Sequence, residues 1–431
     1  MSHKIADVRA RQILDSRGNP TVEADVVLSS GVEGRASVPS VASTGVFEVH
    51  EWRDNDVDYY RGKSVEGAVD HIKGEIRNVL LGVDSINQVH IDNLLIDLDS
   101  SEGKSRLGAN SLLAVSLAVS RAAAKASNLS LVRYIGGCGL MRLPVPLMNI
   151  INGGVHADNG LPFQEMMIVP ICGQSFSEAL HCGVLVFHSL REKLHEIGLS
   201  CTVGDEGGFA PHLSGIEQGL ELLVDAIYLA GFDPGEDVCI ALDCASSQFY
   251  SDGYYKIFNE FMNSDDFSSY LDNLCSCFPI VSIEDGMAED DWSGWQLLTK
   301  RLGDRVQLVG DDLFVTQSSF LRKGVETKSA NAILIKPNQV GTLTETFETF
   351  FLASRSGYGT VISHRSGETS DSFIADLSVA WSAGQIKTGA PCRSDRTSKY
   401  NQLIRIEEEL GRGCYFSGKD MFKDLDVSEG D

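Results

Sequence analysis

The sequence predicts an α/β protein with an N-terminal α+β domain over residues 1–138 and a C-terminal α/β domain over residues 139–431. Three observations lead to this fold class. Residues 4–40 alternate apolar and polar side chains, residues 64–133 follow a helical period, and strand-like and helix-like segments alternate from residue 139 onward. Alternation of the last kind is typical of a barrel or a wound sheet. The boundary is set at the glycine-rich segment 136–139.

The N-terminal domain should contain a three-stranded antiparallel meander. Turn-forming segments at 15–20 and 29–31 divide its alternating residues into three runs. Helices should follow, and the small residues of segment 107–119 suit a closely packed helix.

Composition limits the classes of partner. The chain has 431 residues and a net charge of −24, which disfavours nucleic acid but permits a small anionic substrate beside local cations. The ten cysteines form no disulfide framework or zinc motif. We find no signal peptide and no apolar stretch long enough for a membrane span, so we expect a cytoplasmic protein.

Four strand-like runs of the C-terminal half end in a charged residue: Asp243, Glu284, Asp311 and Lys336. In an α/β barrel these ends meet on one face. Carboxylate oxygens favour Mg²⁺ or Mn²⁺, although each acid alone could be a strand-end cap or an ion-pair partner. Lys336 is expected to have a lowered pKa and to act as a general base, or else to pair with Asp311.

Two glycine-rich segments carry further candidates. Segment 152–165 contains His156, Gln164 and Glu165, and segment 203–211 contains Glu206. Glycine lets backbone approach a ligand, and neither segment matches a known nucleotide-binding loop. A lone histidine or glutamate in a loop is more often solvated than catalytic.

Segment 363–368 places His364, Arg365 and Ser366 after an apolar run, which suits binding of a phosphate or a carboxylate. Lys387 is a second lysine at the end of a strand-like run.

Seven long sequence motifs follow one another along the chain, and both their residues and their order are specific. They lie at residues 14–23, 104–110, 204–211, 282–286, 334–346, 363–369 and 385–394. With them the chain resembles the enolase family over nearly its whole length. The resemblance implies an eight-stranded α/β barrel with irregular first strands. It also implies reversible dehydration of 2-phosphoglycerate to phosphoenolpyruvate in glycolysis and gluconeogenesis, two Mg²⁺ ions, and a homodimer or larger assembly.

The resemblance also implies roles for individual residues. Lys336 would remove the C2 proton, and Glu206, supported by Glu165, would protonate the leaving hydroxyl. The implied metal ligands are Asp243, Glu284, Asp311 and Ser43. The implied substrate-binding residues are His156, Gln164, Glu165, His364, Arg365, Ser366 and Lys387.

The chain departs from the family pattern at two positions near this site. Val41 replaces a glycine in a mobile loop, and a β-branched residue should stiffen it. Gln248 replaces a glutamate near the first metal. Two other functions stay open, namely another dehydratase of the superfamily and a binding or scaffold protein with weakened activity.

Overall fold

The computed structural model describes residues 3–41, 45–423 and 425. Its N-terminal part is an antiparallel sheet of three strands, packed against helices. The strands are β1 (Ile5–Leu14), β2 (Pro20–Leu28) and β3 (Glu33–Ser37), and the helices are α1 (Glu66–His71), α2 (Arg77–Leu80), α3 (Gln88–Asp99), α4 (Ala109–Ala126) and α5 (Leu131–Gly136). The predicted meander followed by helices is confirmed.

The turn between β1 and β2 is fixed by Asp15. Its carboxylate accepts hydrogen bonds from the backbone N–H groups of Arg17, at 2.9 Å, and Asn19, at 2.7 Å. Gly18 has a φ of 76°, a conformation that glycine adopts without strain. The local sequence thus closes this hairpin through its own side chain.

Helix α4 lies directly on the sheet because small residues meet there. At Gly34 of β3, an added Cβ atom would lie 2.2 Å from the carbonyl oxygen of Ala118 and 2.3 Å from the backbone nitrogen of Ala122. Phe373 and Leu377, from the C-terminal half, complete the core of this sheet–helix unit. The two halves therefore share buried apolar contacts.

The C-terminal part is a closed barrel of eight strands. The strands after α5 are β4 (Met141–Leu143), β5 (Val145–Asn152), β6 (Glu165–Pro170), β7 (Val238–Asp243), β8 (Tyr250–Ser251), β9 (Tyr254–Ile257), β10 (Glu260–Met262), β11 (Ile280–Glu284), β12 (Gln307–Gly310), β13 (Ala332–Ile335), β14 (Gly359–Ser363), β15 (Gly384–Lys387) and β16 (Cys414–Phe416). Around the barrel the order is β5-β6-β7-β11-β12-β13-β14-β15.

The direction of β6 makes this barrel irregular. It is antiparallel to both β5 and β7, while the other neighbouring strands are parallel. The expected irregular first strands are therefore confirmed. The surrounding helices are α6 (Phe176–Glu196), α7 (Ile216–Leu229), α8 (Ser264–Cys277), α9 (Trp292–Leu302), α10 (Ser318–Thr327), α11 (Leu343–Arg355), α12 (Phe373–Ala380) and α13 (Ser394–Leu410).

The two ends of the barrel differ in polarity. At the end where β5 begins, Val145, Leu147, Met167 and Val169 form an apolar cluster with Phe422 from the C-terminal segment. The opposite end carries the charged residues described below. No helix within the described ranges is long and apolar enough to cross a membrane. The domain boundary expected after residue 138 falls between α5 and β4 and stays a prediction.

Candidate active site

The charged residues predicted at strand ends lie at one end of the barrel. Asp243, the last residue of β7, is in register with Glu284, the last residue of β11. Because β6 runs in the opposite direction, its first residue, Glu165, reaches the same end and pairs with Asp243. Asp311 and Lys336 directly follow β12 and β13. The topology thus brings side chains from distant segments to one rim.

A cavity of about 30 Å³ opens among these side chains. The predicted site residues that line it are His156, Gln164, Glu165, Glu206, Asp243, Asp311, Lys336, His364, Arg365, Ser366 and Lys387. Glu284 adjoins this group through Lys387. Ser43, the predicted ligand of a second metal, lies outside the described residues.

Lys387 is the cation shared by three carboxylates. Its Nζ lies 2.9 Å from Oδ2 of Asp243, 2.7 Å from Oε2 of Glu284 and 3.2 Å from Oε1 of Glu165. Although burial favours the neutral amine, these carboxylates raise the pKa of Lys387 well above its ordinary value. Lys387 is therefore charged and balances part of the buried negative charge.

Lys336 pairs with Asp311, whose other oxygen accepts a 3.0 Å hydrogen bond from Nε2 of Gln339. We expected a lowered pKa for Lys336, but this expectation is wrong for the arrangement observed. Burial does favour the neutral amine, yet the charge of Asp311 outweighs it and raises the pKa of Lys336. The alternative expectation for Lys336, an ion pair with Asp311, is the arrangement that the structure shows.

Asp285 fixes the loop that carries Asp311. Its two carboxylate oxygens accept hydrogen bonds from the backbone N–H groups of Asp311, at 2.9 Å, and Asp312, at 3.0 Å. Its own φ is 43°, an uncommon value for a residue with a side chain. Asp285 is not among the site residues predicted from the sequence, although it directly follows Glu284, which is one of them.

Glu165 and Glu206 form an acid pair beside His156. One ligand atom from each of the three lies within 4.8 Å of the others. Burial and the charge of Glu206 raise the pKa of Glu165 well above its ordinary value. Burial also disfavours ionised Glu206, but the hydrogen bond from His364 and the nearby charge of Arg396 lower the pKa of Glu206 well below its ordinary value. The two carboxyl groups titrate as one coupled pair, and the proton of that pair binds more tightly to Glu165 than to Glu206.

The tautomer of His364 follows from its neighbours. Nη1 of Arg396 lies 2.5 Å from Nδ1 of His364, and Nε2 of His364 lies 3.3 Å from Oε2 of Glu206. Guanidinium groups only donate, so Nδ1 accepts and the proton lies on Nε2, toward Glu206. Burial lowers the pKa of His364 to about 3, so the ring is neutral. Asn149 adds a 3.0 Å hydrogen bond to the same oxygen of Glu206.

Arg396 also fixes the loop after β14. Its Nη1 donates to the carbonyl of Arg365 at 2.6 Å, and its Nη2 donates to the carbonyl of Ser366 at 2.6 Å. The Arg365 guanidinium lies 2.9 and 3.0 Å from the two carboxylate oxygens of Glu48. Sequence reasoning missed Arg396, Asn149 and Glu48, because none stands at a strand end or in a glycine-rich loop.

The two departures from the family pattern have different surroundings. Nε2 of Gln248 donates to Oε1 of Gln164 at 2.9 Å, and Nε2 of Gln164 donates to Oδ2 of Asp243 at 3.2 Å. Gln248 therefore orients the Gln164 amide toward a predicted metal ligand. Val41 is not one of the described residues with positive φ, so its side chain causes no backbone strain of that kind.

The buried oxygen-rich rim fits a divalent cation. Burial and the nearby charge of Asp243 raise the pKa of Glu284 well above its ordinary value, a cost that a cation would relieve. Among the described residues, the acidic and histidine groups close enough to share an ion are His156–Glu165–Glu206 and Asp285–Asp311–Asp312. The predicted set is not one of them, because Lys387 holds two of its carboxylates and Lys336 the third. That ligand set stays a prediction.

Two protein-family models match the chain. Residues 5–135 match the family described as enolase, N-terminal domain, and residues 140–425 match the family described as enolase, C-terminal TIM barrel domain. The first match spans the sheet and helices β1 to α5, and the second spans the barrel and the rim with its buried acids and lysines. On these matches, together with the irregular barrel, the chain belongs to the enolase family.

Proposed function

We propose that the chain is a phosphopyruvate hydratase, which converts 2-phosphoglycerate reversibly to phosphoenolpyruvate and water. Its family supports a metal-dependent dehydratase that acts on a small phosphorylated substrate. The observation that carries the proposal is the placement of one lysine and one acid pair on opposite sides of the barrel mouth. Lys336 follows β13 and Glu165 begins β6, and these strands stand four places apart in a closed ring of eight.

This placement supports anti elimination. Lys336 would take the C2 proton from one face of the substrate, once its ion pair with Asp311 opens. The Glu165–Glu206 pair, whose proton binds more tightly to Glu165, would protonate the C3 hydroxyl from the other face. His364, neutral and hydrogen-donating, and Asn149 would keep the Glu206 carboxylate in position.

The substrate's anionic groups have separate partners in this proposal. Arg365 and Ser366 would bind the phosphate, with His156 and His364 nearby, and Lys387 would pair with the substrate carboxylate. A fork of two guanidinium N–H groups suits a phosphate well. Gln164 would orient the carboxylate end through its contact with Asp243.

We propose two Mg²⁺ ions, the first held by Asp243, Glu284 and Asp311 and the second by Ser43. Bound divalent cations would stabilise the negative charge that develops on the substrate carboxylate when the C2 proton leaves. Lys387 and Lys336 would contact these carboxylates less closely when the cation is bound.

A turnover assay tests the proposal. Purified protein is mixed with 2-phosphoglycerate and Mg²⁺, and the enol double bond is followed by ultraviolet absorbance. We expect turnover that stops with chelator and returns when Mg²⁺ is added. Turnover of a sugar acid in preference to 2-phosphoglycerate would indicate another dehydratase, and a folded protein without activity on either would indicate a binding or scaffold role.

We also propose a cytoplasmic homodimer or larger assembly. By the resemblance to the enolase family, Glu23 on β2 and Arg405 on α13 match positions that would pair across the interface of a homodimer. Sedimentation equilibrium tests self-association, and a monomer at all concentrations would contradict it.

A further inference from the structure

We infer that Glu48 competes with the substrate phosphate for Arg365, so that the phosphate must displace this carboxylate in order to bind. The inference rests on the proposed function, since it takes Arg365 as the phosphate-binding residue. It assigns a role to Glu48, which sequence reasoning did not select. Glu48 would be a residue that tunes affinity for the anionic end of the substrate.

The Glu48–Arg365 pair is buried and bidentate. Nη1 of Arg365 lies 2.9 Å from Oε2 of Glu48, and Nη2 lies 3.0 Å from Oε1. Both side chains are 5% exposed. Exposed pairs of this type contribute little, but a buried pair that uses both N–H groups is strong and specific.

A phosphate that binds the end of the Arg365 guanidinium, at Nη1 and Nη2, uses the same donors as Glu48. Two parallel guanidinium N–H groups match a carboxylate and a phosphate equally well in geometry. The cavity beside Arg365 has a volume of only about 30 Å³, and Glu48 is one of its lining residues. A phosphate that engages both Nη groups therefore occupies the position of the Glu48 carboxylate.

Glu48 is also linked to the metal-binding side of the rim. Nε2 of Gln339 lies 3.3 Å from Oε1 of Glu48 and donates to Oδ1 of Asp311 at 3.0 Å. The backbone N–H of Gly45 donates to Oε1 of Glu48 at 3.2 Å. Displacement of Glu48 would remove the acceptor that Nε2 of Gln339 and the backbone N–H of Gly45 share. Phosphate binding would thus change the contacts of Asp311 and of the segment that begins at Gly45.

If the Glu48–Arg365 ion pair were merely structural, a neutral replacement of Glu48 would change the affinity for phosphate in the opposite direction. If Glu48 only positions Arg365, a neutral replacement should leave the guanidinium poorly placed and weaken anion binding. If Glu48 competes with the anion, the same replacement should strengthen anion binding, because a buried cation loses its internal counter-charge. The direction of the change therefore separates the two roles.

The test is a calorimetric titration with inorganic phosphate, in excess Mg²⁺, of the full-length protein and of Glu48→Gln. We expect phosphate to bind the variant roughly tenfold more tightly, or more, since one desolvated charge pair no longer opposes binding. Glu289→Gln is the matched control. Oε2 of Glu289 accepts a 3.2 Å hydrogen bond from the backbone of Val46, so it contacts the same segment through a carboxylate but not through Arg365. Its phosphate affinity should stay within about twofold of the parent.

A second variant keeps the test decisive if Glu48→Gln folds poorly. Glu48→Asp retains the charge but shortens its reach, so its phosphate affinity should lie between those of the parent and the neutral variant. Equal or weaker phosphate binding in both Glu48 variants, or equal strengthening in Glu289→Gln, would overturn the inference. Because inorganic phosphate is not turned over, this result stands apart from the turnover assay, which tests the proposed function.

Discussion

Glu165 and Lys336 stand on opposite sides of the barrel mouth, and each contacts a charged side chain. Glu165 lies 3.2 Å from Nζ of Lys387, and Lys336 pairs with Asp311. This relationship depends on the reversed direction of β6, because a parallel β6 would place its first residue at the other end of the barrel. In the proposed mechanism, proton removal and proton donation therefore reach the substrate from different faces.

Replacement of one predicted metal ligand should weaken Mg²⁺ binding. In the parent protein, Mg²⁺ at 100-fold its Kd should add about 2.7 kcal/mol to the free energy of unfolding and so raise Tm. We expect Asp243→Asn to lose most of this rise in Tm. Differential scanning calorimetry with increasing Mg²⁺ measures this rise. Asp272→Asn, which removes a half-exposed carboxylate paired with Arg305, is the control and should keep the full rise. Equal rises in both variants would contradict the assigned ligand.

His364 should remain neutral throughout the physiological range. Burial lowers the pKa of His364 to about 3, and Arg396 faces its Nδ1 atom. Imidazole ¹⁵N chemical shifts should therefore report a proton on Nε2 alone and no titration between about pH 5 and pH 8. A midpoint near the ordinary histidine value would show that the ring is not buried between Arg396 and Glu206 as described.

Asp376 on α12 should make the protein less stable as pH rises. Burial raises the pKa of Asp376 to about 6 from an ordinary 3.8, so the folded state holds this proton more tightly than the unfolded state. The bound proton contributes its full share to the free energy of unfolding below the ordinary pKa of 3.8. This contribution, up to about 3 kcal/mol, is lost as pH rises through about 6. Asp376→Asn should remove this part of the pH dependence in urea unfolding. An identical slope in parent and variant would disprove it.

Glycine at position 34 should be required by the contact with α4. Gly34→Ala places a Cβ atom 2.2 Å from a backbone oxygen, so we expect a loss of about 2–3 kcal/mol or more in the free energy of unfolding. Gly74→Ala is the matched control, because no atom lies within 4 Å of its added Cβ. That change should be neutral or stabilising by up to about 1 kcal/mol. Similar losses at both positions in urea denaturation would contradict the packing described.

The sequence pattern was sufficient for the order of elements and for most of the rim. Alternation over residues 4–40 predicts β1 to β3, and apolar runs that end at Asp243 and Glu284 predict β7 and β11 to the last residue. These predictions succeed because strands buried on both faces read as continuous apolar runs. The family resemblance implied irregular first strands but did not identify β6 as the reversed one, and periodicity carries no information on strand direction.

The electrostatic details were not predictable from spacing. The raised pKa of Lys336 depends on its ion pair with Asp311, which forms only when β12 and β13 are adjacent. Arg396 and Glu48 reach the site from α13 and from the N-terminal segment, a few residues beyond segment 385–394 and beyond Ser43, respectively. Such contacts depend on tertiary packing, so they emerge from the structure alone. The role expected of Ser43 stays a prediction.

Exchange of the C2 proton of 2-phosphoglycerate with deuterated solvent, followed by NMR, tests the central claim most directly. We expect Lys336→Gln to slow exchange and overall turnover together, by roughly 10²–10⁴-fold, because the base is removed. Glu206→Gln should slow formation of phosphoenolpyruvate while C2 exchange continues, since only proton donation to the C3 hydroxyl is impaired. Exchange at the parent rate in Lys336→Gln, or loss of exchange in Glu206→Gln with normal exchange in the lysine variant, would contradict the assignment of base and acid to opposite sides of the barrel.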